Sequence, residues 1–228
     1  MIVDVVIPAL DEEAALPLVL AAIPRNLVRN VVVGDNGSTD RTAEVAVEAG
    51  AVVVTEHERG YGAACLAALA HIRAGVAPDV VVFLDGDHSD HPEELPRLLA
   101  PIAAGNADLV IGSRTLGARE RGSLTPQQLV GNAVASQALR LLYGVRYTDL
   151  GPFRAIRWSA LERLGMRDRN YGWTVEMQIR AAKHDVPYAE VPVSYRRRVG
   201  VSKVSGTIRG TLGASRKILW TLARHAAR

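Results

Sequence analysis

Cysteine is almost absent from this chain. Cys65 is the only one in 228 residues, which excludes an intramolecular disulfide and suits a reducing cytoplasm. It lies in an Ala-rich helical stretch and reads as a small core residue. Aromatic residues make up 5%, too few to offer the stacking platform that single-stranded nucleic acid needs, so basic charge alone does not make a nucleic-acid binder. No apolar run reaches the roughly 18–20 residues that span a bilayer. The start, MIVDVVIPALDEE, lacks a basic segment and meets acid early, so no secretory signal is expected. There is no internal repeat and no low-complexity linker. Acid is missing from one region only: from Val191 to the end there is no Asp or Glu, while Arg196, Arg197, Arg198, Lys203, Arg209, Arg216, Lys217, Arg224 and Arg228 fall there. Such a tail suits phosphate groups or anionic lipid.

What is present is alternation. IVDVVIP, NVVVGDN, AVVVTE, DVVVFLD and ADLVIGSR read as five buried strands. Helices are expected between them over about 12–23, from a Ser38 or Thr39 cap to Gly50, over 60–75, and over 91–105 with a proline interruption. Near-continuous Val, Ile and Leu strands alternating with helices predict an α/β fold with a mostly parallel central sheet and helices on both faces. After about residue 115 the pattern loosens into a polar loop, a helix over 126–142 and an α+β segment to about 195. A terminal helix is expected over 205–226.

Polar residues gather after the strands: Asp11 and Glu12, Asp35 and Asn36, Glu56 to Arg59, Asp85 and Asp87, and Arg114. In open α/β sheets ligands bind outside the carboxyl ends of the strands, so these form one rim of one candidate site. The sharpest feature is FLDGDHSDHPEEL, where an apolar strand runs into Asp85-Gly86-Asp87. Two close carboxylates repel unless a cation intervenes. That cation is a metal, a basic side chain from elsewhere, or is replaced by solvent. Mg²⁺ or Mn²⁺, with oxygen ligands, fits the pair and can bridge a diphosphate. Asp90 and His91 fit the start of the next helix, where the dipole favours acid.

VVIPALDEE, VVVGDNGSTDRT, RGYGAACLAAL, FLDGDHSDHPEEL, VIGSR and DLGPFRAI, in that order, together resemble family 2 glycosyltransferases of the GT-A fold. GVSKVSG and the basic terminal helix are similar to the dolichyl- or polyprenyl-phosphate sugar synthase branch. The resemblance implies a nucleotide-sugar-binding part over 1–114, an acceptor-side part over 115–204 and a terminal amphipathic helix over 205–228. It implies that Pro8, Ala9 and Glu12 border the base and ribose and that Asp35 bonds one of them. Gly60 and Gly62 would let the backbone approach the nucleotide. Asp85, Gly86 and Asp87 would carry the metal and diphosphate, with Asp85 and Asp87 as its ligands. Arg114 would pair with phosphate or position the sugar. Asp149 would face the acceptor side, orienting the acceptor or acting as base. Arg154 would be its ion-pair partner or a phosphate ligand, and Arg198 and Lys203 would neutralise the diphosphate and acceptor phosphate. Glu176 faces either the cleft or an ion-pair partner, and Trp173 stacks on a sugar or packs in the core.

The expected reaction is inverting transfer of a hexose from a nucleotide diphosphate sugar, of the GDP-mannose or UDP-glucose type, to a polyprenyl phosphate. The expected enzyme is cytoplasmic and peripheral on the inner membrane face, with a second copy or a membrane subunit as possible partner. Ile208, Leu212, Leu219 and Leu222 on one face of the terminal helix support lipid contact. The rival is the same donor with a soluble sugar or small-molecule acceptor. A metal-dependent phosphatase is disfavoured, because its similar motif ends a first strand and here FLDGD ends the fourth. A nucleotide-sugar sensor would gain nothing from the Asp pair.

Overall fold

A computed structural model describes residues 1–200 together with 220, 221 and 224. The expected terminal helix therefore lies, but for Trp220, Thr221 and Arg224, outside the described residues, as does Lys203. Seven strands form one sheet in the order β3-β2-β1-β4-β6-β5-β7. They are β1 (Val3–Ala9), β2 (Asn30–Asp35), β3 (Val52–Thr55), β4 (Val80–Phe83), β5 (Leu109–Ser113), β6 (Arg154–Arg157) and β7 (Tyr188–Pro192). β1 and β4 are buried along their whole length, as their valine-rich runs require when both faces are covered, and the one charge within β1, Asp4, is paired with Arg29 at 2.6 Å. One face packs Val5, Ile7, Val33 and Val82 against Leu16, Leu20, Leu95 and Leu98. The other packs Val6, Val32, Val81 and Phe83 against Cys65, Leu69, Trp173 and Met177.

The helices are α1 (Leu16–Ala22), α2 (Thr42–Glu48), α3 (Tyr61–Ala74), α4 (Leu95–Ala103), α5 (Pro126–Tyr143), α6 (Trp158–Leu164) and α7 (Trp173–Lys183). α5 carries the clearest local signals. Thr125 and Gln128 form a reciprocal capping box, Pro126 opens the helix, and Gly144 ends it at φ 72°.

Three expected boundaries are corrected. α2 starts at Thr42, not beside Ser38 or Thr39, because those residues are used elsewhere: Ser38 Oγ accepts from Asp11 N at 2.9 Å and Thr39 N donates to Asp11 Oδ1 at 2.8 Å. α1 starts four residues later than about 12 for the same reason, since Glu12 N donates to Thr42 Oγ1 rather than opening a helix. The segment after β4 is a 3-10 turn, Pro92–Glu94, before α4 begins.

Register places the site. β1 runs parallel to β2 and β4, and β2 to β3, with Ala9 opposite Asp35 and Asp35 opposite Thr55. Their carboxyl ends thus meet at one rim. β6 is antiparallel to both β4 and β5, with Arg154 opposite Phe83 and Ile111. Its amino-terminal approach, residues 148–153, therefore arrives at the rim where β4 and β5 end.

Candidate active site

The carboxylate pair is answered from within the chain. Arg198 reaches across the cleft mouth, Nη1 to Asp87 Oδ2 at 3.3 Å and Nη2 to Glu12 Oε1 at 2.9 Å. Asp87 is buried and also accepts from Ser89 N at 2.9 Å and from the Ser89 hydroxyl at 2.5 Å. Asp85 accepts from the Tyr61 hydroxyl at 3.0 Å. Burial, and then the charge of Asp87, push the Asp85 carboxyl up to about 7. The three consecutive arginines diverge. Arg196 binds the carbonyls of His88 and Asp90 at 2.7 and 2.8 Å. Arg197 binds the Arg121 carbonyl. Arg198 alone of the three turns to the carboxylates.

The cleft above the pair has a volume of about 320 Å³, within the small-ligand range. Pro8, Ala9, Glu12, Gly60, Asp85, Gly86, Asp87 and Arg198 all line it, as sequence reasoning placed them. Asp35 lies behind its wall, buried, with Ser38 N at 3.3 Å from both carboxylate oxygens. Asn36 and Arg59, read from the sequence only as part of the polar rim, also line it, and Leu10, Tyr61, Ala64, Asn170 and Tyr171 were missed. Asn36 holds the wall together: its amide donates to the carbonyls of Glu56 and Glu58 and accepts from Gly60 N at 2.7 Å. Tyr61 looked like the opening of a helix, and only the fold shows its hydroxyl on Asp85. Tyr171, from the connection before α7, closes the far side.

Gly62 is corrected. It does not line the cleft; it lets the chain at residue 168 come close. A Cβ there would stand 1.9 Å from the Asp168 carbonyl oxygen, and one on Gly60 would stand 2.0 Å from that of Arg169. Ala63 N donates to the Arg169 carbonyl at 2.9 Å, so the approach is hydrogen-bonded. Gly62→Ala should push residues 168–171 off α3, lower the melting temperature by several degrees for a cost of about 1–3 kcal/mol, and weaken nucleotide binding. Thermal melts with and without UDP check this; an unchanged melt would mean the segment moves at no cost.

On the other side Arg114 and Asp149 bind each other. Arg114 Nε and Nη2 donate to Asp149 Oδ2 and Oδ1 at 2.8 and 2.7 Å, and Arg114 N adds a bond to Oδ2 at 2.8 Å. Asp149 is 1% exposed. The Arg114 guanidinium also lies 5.0 Å from the Tyr195 ring centre. The loop carrying Asp149 is held on all sides. Glu190 accepts from Thr148 N and Asp149 N, Gln178 Nε2 donates to the Asp149 carbonyl, and Asn132 of α5 bonds Thr148 O and Leu150 N. Arg154 is therefore not the ion-pair partner of Asp149. It is fully buried, and its guanidinium donates to the carbonyls of Leu150, Gly151 and Thr174, which leaves it a scaffold rather than a phosphate ligand. Glu176 is buried and takes Arg167 N, Asp168 N and Arg180, so it faces an ion pair. Trp173 is core, its ring edge-on to Phe83 at 5.9 Å. Asp90 does not start a helix. It is buried beneath the pair, and burial followed by the charges of Asp85 and Asp87 raises its carboxyl well above the usual range. His91 pairs with Glu93 at 2.8 Å.

Among the described residues no group of three or more His, Cys, Asp or Glu is placed to hold a metal. Asp85 and Asp87 offer two carboxylates and nothing softer. That donor set fits a hard ion that takes its remaining oxygens from phosphate and water.

The family model described as glycosyl transferase family 2 matches residues 4–165. An uncharacterised glycosyltransferase of Mycobacterium tuberculosis is 42% identical over 211 residues, covering 92% of this chain and 93% of its own. The polyprenol monophosphomannose synthase of Mycolicibacterium smegmatis is 33% identical over 217 residues, covering 89% and 81%. Among solved structures, glucosyl-3-phosphoglycerate synthase of M. tuberculosis, in complex with Mn²⁺, UDP and glucosyl-3-phosphoglycerate, superposes with a TM-score of 0.77 at 26% identity, covering 99% of this chain and 80% of that one.

Proposed function

This chain belongs to glycosyl transferase family 2 and has the GT-A fold, and from that premise we propose that it transfers a hexose, with inversion, from a nucleotide diphosphate sugar to a polyprenyl phosphate. The observation that carries the donor half is the meeting of Asp85, Asp87, Glu12 and Arg198 in one cleft at the carboxyl rim of the sheet. The nucleoside lies along Pro8, Ala9 and Glu12, with Asp35 behind them as an acceptor for base or ribose. Asp85 and Asp87 would hold Mg²⁺ or Mn²⁺, which when bound would offset charge on the diphosphate. Arg198, already paired with Asp87 and Glu12, turns its guanidinium to the leaving diphosphate. Charge developing there is stabilised by a cation fixed before reaction begins.

The acceptor oxygen attacks the anomeric carbon from the side opposite the diphosphate. A phosphate acceptor is already ionised at neutral pH, so it needs no strong base. Asp149, tied to Arg114 by three bonds, suits that requirement: it positions the arginine, and Arg114 faces the acceptor phosphate. Lys203 belongs to the same acceptor-side group in this reading. Similarity to the M. smegmatis polyprenol monophosphomannose synthase over most of both chains favours a lipid phosphate. The solved structure of glucosyl-3-phosphoglycerate synthase keeps a soluble phosphorylated acceptor as the second reading.

The test is a matrix of GDP-mannose and UDP-glucose against a short polyprenyl phosphate and 3-phosphoglycerate, each with Mn²⁺, Mg²⁺ or chelator. Product with the polyprenyl phosphate and a divalent ion is expected. Product with 3-phosphoglycerate alone would select the second reading. A donor binding at 100 times its Kd should add about 2.7 kcal/mol to stability, so thermal shift identifies the base independently of turnover.

A further inference from the structure

α5 turns two unlike faces outward and inward. Inward, Ala135 and Leu139 are buried and Asn132 bonds the loop that carries Asp149. Outward, Val130, Val134 and Leu141 are 64%, 50% and 75% exposed. At i, i+4 and i+11 they share one helix face, with the exposed Gln137 among them; Leu129 and Leu142, also exposed, lie about 100–120° round the helix from its centre. Few soluble surfaces leave such a stripe to water. From Arg121 to Thr148 the chain has no Asp or Glu, and Arg121, Arg140 and Arg146 are all exposed.

We propose that this face of α5 is a docking surface for an anionic lipid bilayer, so that the protein rests on the membrane through its acceptor side. An apolar stripe edged by cations alone is the pattern of a helix lying in a membrane interface. A second copy fits less well, because the same face on the partner has no Asp or Glu from Arg121 to Thr148 to answer these arginines. The inference deepens the lipid-acceptor reading and rests on it for its purpose. The loop of Asp149 is bonded to the inward side of α5, about one helix diameter, ~10 Å, from the proposed lipid contact. A phosphate at the headgroup level would need little travel to reach Arg114.

The test is flotation of the full chain with phosphatidylglycerol–phosphatidylcholine vesicles and with phosphatidylcholine alone. The protein should float with the anionic vesicles at low salt and be released at about 0.5 M salt, where charge is screened within a few ångströms. The triple variant Val130→Glu, Val134→Glu, Leu141→Glu should partition at least ~10-fold more weakly, since it removes apolar burial and adds acid. Arg140→Gln and Arg146→Gln should each weaken binding roughly fivefold, and they decide the matter if the triple variant fails to fold. Val47→Glu with Val76→Glu, exposed positions on α2 and after α3, should float like the parent. Failure of the parent to float, or equal flotation of the α5 variants, would overturn the proposal. So would a parent dimer in vesicle-free solution that the triple variant turns to monomer, which would make the face a contact between copies. Transfer to short polyprenyl phosphate in detergent separates the two readings. If transfer stands without flotation, docking alone is wrong; if flotation stands without transfer, the acceptor is wrong.

Discussion

Asp87→Ala is expected to lower sugar transfer about 10³-fold and to abolish metal-dependent binding of the nucleotide, with the fold retained. The size follows from what the carboxylate does. It is one of the two cleft-lining carboxylates that follow β4, where a hard cation would bind, and preorganised charge aimed at a leaving group is worth about 10²–10³ in rate per group. The fold should survive because the backbone at Asp87 keeps its own bond, its carbonyl accepting from Val199 N at 3.0 Å. Arg198 also keeps Glu12. Single-turnover rates over a Mn²⁺ titration, beside a thermal melt, measure both. Transfer within tenfold of the parent would remove Asp87 from the metal and diphosphate.

Asp149→Ala should damage stability as well as rate. Arg114 is almost wholly buried against it, and loss of one member of a buried pair costs about 3–5 kcal/mol because the other charge is left uncompensated. For a chain of this size that is a fall in melting temperature of roughly 6–20 °C. Asp149→Asn keeps one acceptor oxygen for Arg114 and should melt closer to the parent. In that variant donor affinity, read by calorimetry, should stay within a few-fold while transfer falls about 100-fold, as expected when a group acts mainly in the transition state. Equal losses in donor affinity and transfer would move the Arg114–Asp149 pair to the donor pocket. A melt unchanged by Asp149→Ala would mean that Arg114 finds another partner.

The donor rim was legible because its signals are local. A strand that is buried on both faces writes itself as a run of valines, and Asp35, Asp85 and Asp87 follow such runs directly. What could not be read is which long side chain meets which carboxylate. Arg198 and Glu12 are 186 positions apart, and Arg114 and Asp149 are 35 apart, so each pairing depends on where the sheet returns the chain. Arg154 illustrates the difficulty. Beside a Phe and near an Asp it resembles a ligand, yet the antiparallel placing of β6 turns it inward onto carbonyls. Gly62 looked like a nucleotide contact for a related reason, since a glycine shows that something comes close but not what. Tyr61 gave no signal, because a helix-opening tyrosine is ordinary in that place, and Asn36 was legible only as a polar strand end, not as the group that ties the wall together.

The reversed direction of β6 bears on how such an enzyme diversifies. β6 is held on both edges by backbone hydrogen bonds, to β4 and to β5, and these do not depend on side-chain identity. Everything between β5 and β6, including α5 and the Asp149 loop, leaves the sheet at one strand and re-enters at its neighbour. The segment from about 115 to 153 is thus a cassette with fixed sockets. Its content can change while β1, β2 and β4 keep their register at the carboxyl rim, provided that its contacts with Gln178, Glu190 and Tyr195 are kept or replaced. If this segment faces the acceptor, as proposed, duplicated copies of such a gene could drift toward new acceptors while the cleft at the carboxyl rim stays as it is, and a laboratory chimera joined at these two strands would follow the same route.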